Sequence, residues 1–96
     1  MRIRIVQSGG LAGLRRERVV ETEQLPDAGR EALEGLVRTS AFFELPERRV
    51  SGLPDVIQYR VRVEAADRAH EVTFDDETAS RALRDLVTRA LADRDA

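Results

Sequence analysis

Polar and apolar positions alternate as the chain opens: Ile3 and Ile5 fall on one face and Arg2 and Arg4 on the other, the period-two pattern of a half-buried strand. Ser8-Gly9-Gly10 breaks that run, and an extended pattern with Val19 and Val20 resumes over residues 14–22. The pair predicts a hairpin whose loop runs from about Ser8 to Gly13, with Gly9, Gly10 and Gly13 inside it. Pro26 suits the first turn of a helix, where its missing N–H has no partner in any case, and Ala32, Leu33, Leu36 and Val37 recur at helical spacing. A helix over residues 26–39 follows. Phe42, Phe43 and Leu45 come next, and phenylalanine rings are too costly to leave in water, so this segment is expected to plug the core before Pro46 ends it.

Residues 47–55 contain Gly52 and Pro54 and little periodicity, which predicts a surface loop. Beyond it Ile57, Tyr59, Val61 and Val63 alternate with Gln58, Arg60, Arg62 and Glu64, the clearest strand in the chain. Val72 and Phe74 continue the alternation after a turn near Ala66-Asp67-Arg68. Asp75 or Asp76 can accept the free N–H groups of a following helix, whose buried stripe is Ala79, Leu83, Leu86, Val87 and Ala90 and which runs to about Ala92. The order strand, strand, helix, strand, strand, helix predicts an α+β fold: a four-stranded, mainly antiparallel sheet with both helices on one face. The opposite face is left to water or to a partner. No linker divides the halves, so residues 1–96 are expected to form a single domain.

A chain of 96 residues, 42% hydrophobic and 35% charged, fits one globular domain with a modest core and little room for an enclosed pocket, which tilts against an enzyme. The N-terminus lacks the apolar run and cleavage site of a secretory signal, and no segment approaches the roughly 20 apolar residues of a membrane helix. These features, with no cysteine in the chain, predict a cytoplasmic protein that does not enter a membrane. Its basic residues other than His70 are all arginine, a habit of GC-rich bacterial genomes. Net charge is -2, so nucleic acid is not the expected partner, although Arg2, Arg4, Arg15, Arg16 and Arg18 face only Glu17 in the first twenty residues.

Chemistry-bearing motifs fail on their own terms. His70-Glu71 opens like the zinc-binding HExxH, but Phe74 stands where the second histidine belongs, and the stretch alternates as a strand. With one histidine, no cysteine and no calcium-loop spacing, no metal ligands and no cofactor are predicted. The glycines near Ser8 lack the lysine and following helix of a phosphate loop, and Ser8, Ser40, Ser51 and Ser80 lack the setting of a nucleophile, so no catalytic residue is assigned. Leu11, a large apolar side chain amid glycines, and Leu53, between Gly52 and Pro54, instead point to a protein partner.

The string Gln7-Ser8-Gly9-Gly10-Leu11-Ala12-Gly13-Leu14, with Leu25-Pro26 before the first helix and Phe42-Phe43-Glu44-Leu45-Pro46 after it, resembles the emfourin-type protein inhibitors of protealysin and related thermolysin-like metalloproteases. The resemblance extends over nearly the whole chain, and Leu11 occupies a position where the family often carries an aromatic residue. It implies a cytoplasmic inhibitor, often encoded beside its target, that holds no metal itself and blocks the active-site cleft of a zinc metalloprotease. The residues expected to bind the protease are Ser8, Gly9, Gly10, Leu11, Ala12 and Gly13 of the loop, Arg15 and Arg16 beside it to widen the contact, and Leu53 as the alternative apolar anchor. The competing expectation is a self-associating or protein-interaction scaffold that uses Arg2, Arg4, Gln58, Arg60 and Arg62 on the open sheet face.

Overall fold

Each apolar alternation becomes a strand and each helical stripe a helix. The computed structural model describes residues 1–92. In chain order the elements are β1 (Arg2–Gly9), β2 (Leu14–Glu21), α1 (Asp27–Thr39), β3 (Arg48–Arg49), β4 (Ile57–Glu64), β5 (Ala69–Asp75) and α2 (Arg81–Ala92), with single helical turns at Thr22–Gln24 and Phe42–Glu44.

The sheet corrects the four-stranded expectation. It has five strands in the order β2-β1-β4-β5-β3, and it is mixed, because β3 runs parallel to β5 with Arg48 opposite Thr73 and Arg49 opposite Phe74. The Thr73 N–H donates to the Glu47 carbonyl at 2.8 Å, drawing part of the expected 47–55 loop into the sheet. A pairing of two residues is too short to leave a period-two trace, and neighbouring Pro46 and Gly52 read as loop punctuation.

β1 lies between two antiparallel partners and is paired along its whole length, from Arg2 opposite Glu21 and Glu64 to Gly9 opposite Leu14 and Ile57. The turn is therefore residues 10–13 alone; Ser8 and Gly9, expected in a longer loop, are strand residues. Alternation then sorts the side chains. Ile3, Ile5, Val61, Val63, Val72 and Phe74 face inward with Val20, and Leu33 and Val37 of α1 and Leu83, Leu86 and Val87 of α2 close over them. The fully buried Phe42 drops into this core from its helical turn, and His70 contacts its ring edge while bonding the Leu45 carbonyl through Nε2 at 2.7 Å. Phe43 is only half buried, its ring covered by the Arg68 guanidinium at 4.0 Å.

The start of α2 also differs from expectation. Ser80, not Asp75 or Asp76, caps it: the Leu83 N–H donates to Ser80 Oγ at 3.2 Å. Asp75 instead closes the preceding turn, where the Thr78 N–H reaches its carbonyl at 3.1 Å, and does something further that local sequence could not announce.

Candidate functional site: the hairpin-tip end of the sheet

Three strands, β1, β2 and β4, meet where β1 ends. Gly9 adopts φ +99°, a conformation L side chains rarely take, and a Cβ built there would stand 2.8 Å from the Val56 carbonyl oxygen. Glycine thus lets the end of β1 lie flush against the backbone entering β4. The turn closes through the Gly13 N–H to the Gly10 carbonyl at 3.2 Å, with Gly13 at φ +63° and open space around it. Between them Leu11 is 91% exposed, and Leu14 beside it is 42% exposed. This turn hangs from three paired strands, so its base is stiff although its apex is bare.

The second apolar side chain, Leu53, is 53% exposed on the segment that leaves β3 and crosses the same end of the sheet to reach β4. That segment is tethered by Asp75. One carboxylate oxygen of this fully buried residue accepts from the Ser51 N–H at 2.6 Å and the Ser51 hydroxyl at 2.7 Å. The other accepts from the N–H groups of Glu77 at 2.9 Å and Thr78 at 3.0 Å. The Ser51 hydroxyl in turn accepts from the Leu53 N–H at 3.2 Å. The Ser51 N–H foremost, with the remaining donors, outweighs desolvation and holds the Asp75 carboxyl down at about 2. Among the described residues no cation pairs with this anion, which is satisfied by dipoles, and the effect is to clamp the Leu53 segment to the entry of α2.

The adjacent arginines of β2 part company. Arg15 points to the outward face with Ser8 opposite it, whereas Arg16 lies opposite Gln7 on the helix side and donates from Nη2 to the Leu91 carbonyl at 3.2 Å. Arg16 therefore serves the C-terminal end of α2, where orphan carbonyls and the helix dipole favour a cation. The turn residues Gly10, Leu11, Ala12 and Gly13 and the strand residues Ser8 and Gly9 are contiguous in the hairpin, whereas Leu53 lies on the separate segment between β3 and β4. Of the five residues expected for a scaffold contact, Arg2 pairs with Glu21, Arg4 with Glu17 and Arg62 with Glu64. The charge of these three is met within the sheet, whereas Arg60 makes no ion pair with any described residue.

Two contributors escaped the sequence. The Asp75–Ser51 clamp joins residues 24 apart and the Arg16–Leu91 bond residues 75 apart, and neither separation leaves a local pattern. Among the described residues no cluster of histidine, cysteine or acidic side chains could hold a metal ion, and no helix is long and apolar enough to cross a membrane.

A firm sheet thus carries bare leucines on two glycine-bearing segments at one end, the kind of exposed apolar surface that marks contact with another protein. The chain matches the Emfourin family over residues 5–91 and belongs to it, a family of metalloprotease inhibitors. Neither the curated proteins nor the solved structures yielded a match.

Proposed function

We propose that this chain is a cytoplasmic, single-domain inhibitor of a thermolysin-like, protealysin-type zinc metalloprotease, and that it acts by seating the β1–β2 turn in the active-site cleft. Membership of a metalloprotease-inhibitor family supports an inhibitory role. The observation that carries the mechanism is Leu11, 91% exposed at the apex of a turn whose base is built into the sheet. Thermolysin-like enzymes favour a bulky apolar residue just after the scissile bond, and Leu11 supplies one. Burying a leucine is worth roughly 1.5–3 kcal/mol, one to two decades of affinity. That is too little for a tight inhibitor. Ser8, Gly9, Gly10, Ala12, Gly13, Arg15 and the Leu53 segment widen the contact toward the roughly 800 Å² per partner of a stable complex.

The test is a titration of a protealysin-type peptidase with the purified chain. An inhibitor gives a sharp equivalence point and stays uncut. Leu11→Ala is expected to raise the inhibition constant about 10–150-fold, the range set by the lost burial, with no change in thermal midpoint. An unchanged constant would remove Leu11 from the interface, with Leu53→Ala as the next variant to measure.

A further inference from the structure

Charge on the outward face of the sheet is segregated. Away from the hairpin tip the arginines are matched: Arg2 with Glu21, Arg4 with Glu17, and Arg62 with Glu64 at 3.0 Å. Toward the tip the balance fails. Arg48 and Arg60 make no ion pair or hydrogen bond with any described residue, and Arg15 reaches only Glu17, at 3.7 Å, an acid already engaged by Arg4.

Strand register gathers these side chains. Arg60 stands between Val6 and Thr73, Thr73 is opposite Arg48, and Ser8 is opposite Arg15. Together they rim a depression of about 220 Å³. Val6, apolar yet on the outward face, is only 5% exposed within it. The aliphatic stems of long arginines cover apolar surface in this way while their guanidinium heads stay available. The chain as a whole carries a net charge of -2, so this cationic patch runs against the global balance.

Its position ties it to the turn. Arg60 lies three residue pairs from Gly9, about 10 Å along the strand. A contact of about 800 Å² on one partner is about 32 Å across, wide enough to cover the turn and the arginines together.

We propose that the depression rimmed by Arg15, Arg48 and Arg60 is a second docking contact, which receives carboxylate side chains on the acidic rim of the peptidase cleft that the turn enters. It rests on the inhibitory role proposed above and adds the charge of the partner surface. Guanidinium forks pair with carboxylates in bidentate fashion, and opposite charges at a rim speed encounter more than they deepen affinity.

The experiment is stopped-flow association with a protealysin-type peptidase at about 20 mM and about 500 mM salt, on either side of strong screening. The Arg48→Glu/Arg60→Glu double variant is expected to associate about tenfold or more slowly at low salt, with the gap closing at high salt as screening removes the long-range attraction. Arg81→Glu/Arg89→Glu on α2 changes net charge equally on the other side of the sheet and is expected to stay within about twofold of the parent rate. Arg48→Gln/Arg60→Gln gives an intermediate rate and serves if the reversed pair does not fold. Equal slowing by the α2 pair, or an unchanged rate for the Arg48/Arg60 variants beside an intact equivalence point, would overturn this contact and leave the inhibitory role standing. Absence of an equivalence point with the parent chain would overturn both. Oligonucleotide binding or dimerisation abolished by the Arg48/Arg60 changes, with the association rate untouched, would give the patch to another occupant and overturn the proposal.

Discussion

Gly9→Ala and Gly13→Ala form a matched pair that separates backbone strain from steric collision. Gly13 sits at φ +63° with nothing within 4 Å of an added Cβ, so alanine there meets only the left-handed penalty of about 1–2 kcal/mol, partly offset by a stiffer unfolded chain. Gly9 sits at φ +99° and its Cβ would also stand 2.8 Å from the Val56 carbonyl. That oxygen is backbone, held beside the Gly9–Ile57 pairing, so no flexible side chain can swing away. Overpacking of this kind adds about 1–3 kcal/mol, for a total near 3 kcal/mol, a large share of the roughly 5–15 kcal/mol that holds a small domain together. Urea unfolding followed by circular dichroism is the assay. With a slope of about 1.5 kcal/mol/M, Gly9→Ala should lower the midpoint by about 2 M and Gly13→Ala by well under about 1 M. Equal shifts for the two would refute the claim that β1 ends in close backbone contact with the segment entering β4.

Phe42→Ala should destabilise by about 3–5 kcal/mol, since its fully buried ring fills the space under α1 beside His70, and a thermal midpoint lowered by less than about 10 °C would contradict that packing. Asp75 titrates at about 2, below the unfolded carboxylate value near 3.9, so its contribution to stability is complete above about pH 4 and lost as pH falls toward 2. The gap in urea midpoint between the parent chain and Asp75→Asn should accordingly narrow on acidification across that window; a gap of constant size from about pH 7 to about pH 2.5 would contradict it. Amide exchange at Leu53 should quicken in the same variant, because its N–H bonds the Ser51 hydroxyl that Asp75 holds. The losses expected for Leu11→Ala and for the Arg48/Arg60 variants complete the set.

Much of the fold is legible in the sequence because burial enforces a period. Ile3 and Ile5, Val61 and Val63, and Val72 and Phe74 sit on one face of adjacent strands, and each pair advertises the face it buries. What escapes is written in short or distant interactions. β3 is two residues long and pairs in parallel through Arg48 and Arg49, residues that otherwise suggest solvent. Asp75 resembles a helix cap because acids before a helix usually are caps, and the competing donor, Ser51, comes from 24 residues earlier in the chain. At the candidate site the exposed Leu11 and Leu53 are evident from the glycine and proline around them. Arg15 and Arg16 look alike as a basic pair, although strand alternation alone sends neighbours to opposite faces.

β2 forms one border of the sheet, and its outer rim of N–H and C=O groups faces no other strand among the described residues. Such a rim invites a second copy to add on and propagate. Five of its eight side chains are nevertheless charged: Arg15, Arg16, Glu17, Arg18 and Glu21. Stacking another chain there would strip water from all of them. The strand that supports the turn thus also guards this border against fibre formation.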